Sequence, residues 1–320
     1  MKLTGLHHVT AVSAQIGRNV DFYTRVLGLR LVKKSVNQDD VSAYHLFYAD
    51  KVGSPGTDMT FFDWPQIGPD QRGTDSVVLT AFRVNGPAAI EFWRQRLTEM
   101  GAVVHAPELF AERALLRFED PEGQRLALVD DGGAGFEGEV WEAGGVPNAY
   151  ALRGFQAVML SVPAWTRLDT ILTRVLQLRQ GPPAVFPDGH AVRQYAFDAG
   201  GPGREVWVAE APHERSAQLG AGGVHHVAFR VADEAGQQAW HERLLRTGLP
   251  VSPLVDRYYF RSIYFRVSNG LLFEIATDGP GFAADEPVET LGQRLALPPF
   301  LEPRRAEIEA GLKPITVSPA

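Results

Sequence analysis

Apolar and polar residues recur along this chain in one order, four times over. Residues 5–13, Gly-Leu-His-His-Val-Thr-Ala-Val-Ser, form an apolar run of strand type. Asn19–Leu29 follows, with Val20, Phe22, Tyr23, Val26 and Leu27 at helical spacing. Three short strand candidates come next, at Leu31–Val36, Ala43–Tyr48 and Asp58–Asp63. The order is β-α-β-β-β, and such self-similarity decides the fold before any single residue does.

The second copy runs from Ser76–Val84 through a helix at Ala88–Met100 to strands near Val103–His105, Ala114–Phe118 and Arg125–Val129. The third has Gly154–Val162, a helix at Trp165–Leu178, and strands near Val192–Phe197 and Glu205–Ala209. The fourth has Gly223–Val231, a helix at Glu234–Thr247, then Val251–Val255, Arg261–Val267 and Leu271–Ala276. Glycines punctuate the last hairpin of each unit, as in Asp-Pro-Glu-Gly at 120–123 and Ser-Asn-Gly at 268–270, where a tight turn asks for positive φ. The expected fold is α+β, with four βαβββ modules at 1–70, 71–150, 151–215 and 216–280. These form two barrel-like halves, and the proline-containing residues 281–320 form an extension packed outside them.

Aligning the modules on first strand and last hairpin compares the chain with itself. The first-strand position holds His8, Leu79, Ala157 and His226 in turn. Four residues beyond Gly56, Gly123, Gly203 and Gly270 stand Thr60, Ala127, Trp207 and Glu274. Of these, only His8, His226 and Glu274 can bind a metal. Glu274 interrupts the apolar run Leu-Leu-Phe-Glu-Ile-Ala, and a carboxylate inside a sheet needs compensation. A metal would supply it, as would an arginine such as Arg261 or Arg266, or water at an edge strand. The duplicated pair in Gly-Leu-His-His-Val and Gly-Val-His-His-Val favours the metal. Modules 1 and 4 must then face each other across a pseudo-two-fold axis to share the site, with Thr60 at the fourth equivalent place, because neither supplies three ligands alone.

Composition narrows the chemistry. A chain of 320 residues suits two domains, and 45% apolar with 22% charged residues is globular, with no run of the ~18 apolar residues a membrane span needs. The absence of cysteine excludes disulfides, thiolate nucleophiles and cysteine-ligated metals. A net charge of −7 gives no attraction to nucleic acid. A strand pattern beginning almost at Met1 leaves no room for a signal peptide, and the expected location is the cytoplasm.

The repeated units with strand-borne His and Glu resemble the vicinal-oxygen-chelate superfamily of glyoxalases, bleomycin-binding proteins and extradiol dioxygenases. Within it the chain is most similar to ring-cleaving hydroquinone 1,2-dioxygenases. The likeness rests on Leu-His-His-Val-Thr at 6–10, Tyr-His-Leu-Phe-Tyr-Ala-Asp at 44–50, Gly-Val-His-His-Val-Ala-Phe at 223–229, Asp-Arg-Tyr-Tyr-Phe-Arg-Ser-Ile-Tyr-Phe-Arg at 256–266 and Phe-Glu-Ile-Ala at 273–276. It implies His8, His226 and Glu274 as ligands of Fe(II), with Mn(II) as its alternative, and His7, Thr10, His225, Arg257 and Tyr264 around the substrate. Neighbouring strand residues point to opposite faces, so His7 and His225 require a local bulge to join the ligands. The implied partners are a small aromatic substrate and O2, and homo-oligomers are compatible with the sequence. Two histidines and one carboxylate leave positions open on the metal for both. His225 or Tyr264 would take the phenolic proton, and Arg257 would stabilise negative charge. The competing readings are a glyoxalase-type isomerase or lyase with Zn(II) or Ni(II), disfavoured by Thr60, and a metal-free protein that sequesters small molecules.

Overall fold

The computed structural model describes residues 2–268 and 270–315. Module 1 provides β1 (Leu6–Ser13), β2 (Arg30–Asn37), β3 (Asp40–Ala49) and β4 (Asp58–Asp63). Module 2 provides β5 (Ser76–Val84), the short β6 (Val103–Val104) and β7 (Glu108–Phe110), β8 (Arg113–Glu119) and β9 (Arg125–Asp130). Module 3 gives β10 (Phe155–Val162), β11 (Arg179–Val185), β12 (Ala191–Ala196) and β13 (Glu205–Glu210). Module 4 gives β14 (Val224–Val231), β15 (Val255–Asp256), β16 (Arg261–Arg266) and β17 (Leu272–Thr277).

The first strand of each module is followed by a helix: α1 (Ile16–Asp21), α2 (Pro87–Glu99), α3 (Trp165–Thr170) and α4 (Glu234–Leu245). In modules 1 and 3 the α-helix ends early and passes into a wider π-turn, Phe22–Val26 and Ile171–Val175. The continuous helices expected over 19–29 and 165–178 are therefore two-part, although their apolar faces are buried as the spacing requires. Asp233 caps α4 by accepting the Gly236 amide at 2.7 Å, and Pro87 opens α2, where a missing N–H costs nothing.

Strand order is β15-β16-β17-β14-β1-β4-β3-β2 in one sheet and β11-β12-β13-β10-β5-β9-β8-β6 in the other, with β7 beside β8. First therefore pairs with last, and second with third. The junction of modules 1 and 4 is the antiparallel pair β1/β14, centred on Val9 opposite Val227, with His8 opposite Ala228 and Thr10 opposite His226. Parallel β17 lies outside β14 with Glu274 beside Ala228, and parallel β4 lies outside β1 with Thr60 beside Thr10. Two rows cross the sheet, His8–Ala228–Glu274 and His226–Thr10–Thr60, and the pseudo-two-fold exchanges them.

Three local expectations change. Edge strand β11 carries Pro182 and Pro183, which a strand accepts only where its N–H groups need no partner. The strand expected at Val251–Val255 is a lone bridge from Val251 to Phe265 plus the two-residue β15. Gly56, Gly123 and Gly203 take positive φ, but Gly270 does not. Gly270 is required for space instead, because a Cβ there would stand 1.9 Å from the Asp75 carbonyl oxygen. Asn269 of that hairpin lies outside the described residues.

In the second sheet the places equivalent to these two rows are filled with apolar bulk. Leu79, Ala127, Ala157 and Trp207 pack with Phe110 and Phe186 into a closed cluster. The extension after residue 281 straps the first sheet, with Leu297, Leu301 and Ile308 of the extension against Val36. Lys33, fully buried on β2, donates to Asp285 at 2.7 Å and to Glu286.

Candidate metal centre

The register of the two rows points His8, His226 and Glu274 to one face, and their ligand atoms all lie within 4.8 Å of one another. Glu274 Oε2 is 3.0 Å from His226 Nε2 and 3.2 Å from His8 Nε2, and the two Nε2 atoms are 3.3 Å apart. Ala228, with only a methyl group between His8 and Glu274, leaves the space in which they meet. Ser262 donates to the other carboxylate oxygen, Oε1, at 2.5 Å. Arg261, an alternative partner on sequence grounds, pairs instead with Glu234.

Histidine tautomers follow from the hydrogen bonds behind the ligands. His7 Nε2 lies 3.1 Å from the Thr277 carbonyl, which only accepts, so that nitrogen carries the proton. Neutral His7 then presents a lone pair at Nδ1, 2.9 Å from His8 Nδ1. His8 must donate there, and its Nε2 lone pair faces the site. His225 and His226 repeat the contact at 2.8 Å through the same atoms. Burial pushes both His7 and His225 down to about 3, which keeps them neutral in these roles.

Among the described residues Glu274 Oε2 has no hydrogen-bond donor although it is wholly buried. Two imidazole Nε2 atoms and one carboxylate oxygen converge on a single point, an arrangement that a divalent cation satisfies. The donor set fits a borderline metal with open positions.

A narrow pocket opens from this point. Its lining includes His8, His226, Arg257 and Tyr264, with Phe47, Phe62 and Phe260 as aromatic walls. Arg257 is fixed by Asp39, whose carboxylate accepts two hydrogen bonds at 3.2 and 2.9 Å, and its Nε donates to the Tyr264 hydroxyl at 3.1 Å. Its ion pair is therefore with the β2–β3 turn and not with neighbouring Asp256. Burial, with Glu274 next, pushes the Tyr264 phenol well above its ordinary range, so it is held protonated.

His7, Thr10 and His225 do not line the pocket. The first stands behind His8. Thr10 is buried against Thr60, with their hydroxyl oxygens 2.8 Å apart. His225 lies edge-on to Phe62 and Trp64, with ring centroids 5.5 and 5.7 Å away. The β1/β14 register slips at Leu6/His8 and at Thr10/Ala11, and this irregularity lets neighbouring histidine rings meet. Sequence reasoning gave no role to Ser262, Asp39 or His45, which line or support the same pocket. The Tyr-His-Leu-Phe-Tyr alternation did carry a signal for His45, since a polar residue there falls in step with Phe47 on the inward face.

A chain from Bacillus subtilis named as a candidate ring-cleaving dioxygenase, MhqA, is 46% identical over 322 residues, covering 98% of this chain and all of the relative. This chain belongs to the glyoxalase/bleomycin resistance protein/dioxygenase superfamily. The model of that superfamily matches residues 5–128. The chlorohydroquinone/hydroquinone 1,2-dioxygenase of Sphingobium indicum is 33% identical to this superfamily member, covering 96% of the chain and 95% of the relative. A crystal structure described as a candidate dioxygenase from Bacillus subtilis superposes with a TM-score of 0.90 at 36% identity, covering 100% of this chain and 99% of that one. Maize glyoxalase I shares the fold at a TM-score of 0.63 and 13% identity, with 86% of this chain and 92% of that one covered. No helix among the superfamily member's described residues is long and apolar enough to cross a membrane.

Proposed function

We propose that this protein is a ring-cleaving dioxygenase that uses Fe(II), with Mn(II) as the alternative, to open a hydroquinone or catechol-like ring with O2. The observation that carries the reading is the donorless Glu274 Oε2 between two imidazole nitrogens, at the floor of a pocket walled by aromatic rings. The full-length relatives named as ring-cleaving dioxygenases support it.

His8, His226 and Glu274 would hold the metal, which when bound brings phenolic oxygen and O2 together and lowers the cost of ionising the phenol. The chain's own residues orient and stabilise. Phe47, Phe62 and Phe260 flank a flat ring and exclude water. Arg257, its direction set by Asp39, places positive charge at the pocket wall where an aromatic hydroxyl becomes anionic. Tyr264 accepts from Arg257 and keeps its own proton for donation to a substrate oxygen. His7 and His225 act through the ligands by fixing their tautomers.

Oxygen uptake by anaerobically Fe(II)-loaded protein, given a panel of hydroquinones and catechols and checked by metal analysis, tests the proposal. Uptake coupled to a ring-opened product is expected. Full metal occupancy without uptake on any member of the panel would reject it in favour of an isomerase or lyase.

A further inference from the structure

The pocket holds a third imidazole. His45 lies on β3 opposite Phe62 of β4, two residues from the place where Phe47 faces Thr60. Ser262 on β16 stands in the matching place of module 4, opposite Ala276 and two residues from the pair Tyr264/Glu274. Both make the same kind of contact with the last strand. Ser262 Oγ reaches Glu274 at 2.5 Å, and His45 Nε2 reaches Thr60 Oγ1 at 2.9 Å. One half of the pseudo-two-fold thus presents a carboxylate supported by a hydroxyl, and the other presents a hydroxyl beside an imidazole.

Unlike His7, His45 has no carbonyl to lock its tautomer. Among the described residues Thr60 Oγ1 bonds only His45 and Thr10 Oγ1, and each hydroxyl both donates and accepts. Turning two hydroxyl hydrogens, with no heavy atom moving, switches His45 Nε2 between donor and acceptor. His45 Nδ1 has no hydrogen-bond partner among the described residues and belongs to a residue lining the pocket. It opens to the cavity.

We propose that His45 is the proton acceptor of this pocket, its Nδ1 taking the proton of the aromatic hydroxyl bound in front of it while Nε2–H donates to Thr60. The proposal rests on the ring-cleaving reading above. In the step, the substrate O–H bond breaks, an N–H bond forms, and the electron pair stays on oxygen, so no redox partner is needed. The alternatives are weaker on geometry: His225 lies outside the pocket with Nδ1 engaged by His226, and Tyr264 is held protonated. The charged and titratable groups facing His45 are His8 on β1, His226 on β14, Arg257 after β15, and Glu274 on β17. Burial keeps the imidazole uncharged, so it meets the substrate with a lone pair.

The test is anaerobic binding of a nitrocatechol, whose colour reports ionisation of its hydroxyl, to Fe(II)-loaded protein across pH. In His45→Gln the bound probe should ionise about one pH unit higher than in wild type, a roughly tenfold weaker proton withdrawal, with metal content unchanged. Thr60→Val, which keeps the imidazole and removes its partner, should give a smaller shift in the same direction. An unchanged midpoint in His45→Gln with the probe still bound would overturn the proposal. Failure of the ring-cleaving reading itself would look different: wild-type protein would leave the probe's spectrum unaltered at every pH, and the role of His45 would fall with it.

Discussion

Thr60 on β4 occupies the place that Glu274 occupies on β17. Each lies beside the residue two positions beyond a ligand-type histidine site, Thr10 on β1 or Ala228 on β14, in the same parallel register. A symmetric centre would carry a carboxylate at both places and four protein ligands. Threonine at one of them reduces the set to three and turns that quadrant over to neutral hydrogen bonding with Thr10 and His45. On the proposed function, the asymmetry would leave the metal with positions open to two exogenous molecules, where a symmetric set of four would be more closed.

Replacement of His8, His226 or Glu274 by alanine should each abolish tight metal binding. Circular dichroism should remain native, because the surrounding strands are held by ladder hydrogen bonds and apolar packing. Metal content after dialysis checks this, and a variant that retains full occupancy removes that residue from the centre. Glu274→Gln keeps the shape and removes the charge, and should weaken binding almost as severely.

His7→Phe leaves His8 Nδ1 without its acceptor and frees the ring to adopt the wrong tautomer. Loss of such an outer partner typically weakens metal affinity ~10–100-fold. Competition with a chelator of known affinity measures the change. An affinity equal to wild type would show that Thr277 and His7 do not orient the ligand.

The metal-free protein should lose stability on acidification. His7 and His225 sit near 3 when folded against 6.5 in the unfolded chain, so below about 6.5 the unfolded state takes up protons that the folded state refuses. Their contribution is complete above 6.5 and shrinks as pH falls toward 3, by about 1.4 kcal/mol per unit for each group. Urea unfolding at pH 7, 6, 5 and 4 should show the slope, and His7→Phe should flatten it. Equal slopes in wild type and variant would count against a neutral, buried His7.

Lys33→Met should detach the C-terminal strap. The substitution leaves Glu286, itself buried, with Arg294 as its one ion-pair partner among the described residues, and breaking a buried pair from one side costs about 3 kcal/mol. The denaturation midpoint should drop, and protease should cut after residue 281 before it attacks the sheets. Simultaneous loss of both regions would mean that the strap and the sheet unfold together.

Much of this architecture could be read from the chain because the information is repeated. His8 and His226 recur on equivalent strands, and Glu274 stands out against Thr60, Ala127 and Trp207, so comparison of the sequence with itself isolates the trio. What escaped the reading depends on tertiary neighbours. Whether Arg257 pairs with Asp256 or with Asp39 is settled by where the β2–β3 turn lands, more than two hundred residues away in sequence. Strand β11 was hidden because two prolines argue against a strand until its edge position is known. The contact of His225 Nδ1 with His226 depends on the irregular strand register, and His45 went unassigned because its partner, Thr60, carries no charge.

The pairing of first module with last also fixes an order of events during synthesis. His8 emerges from the ribosome at the start, but the strand beside it, β14, and the carboxylate on β17 come more than two hundred residues later. The pair β5/β10 is complete well before that, so the Trp207-filled half can close while β1 still has one open edge. A nascent or truncated chain that stops short of residue 274 therefore lacks one of the three groups of the candidate centre, and on the proposed function loading with metal would mark a chain that has passed that point.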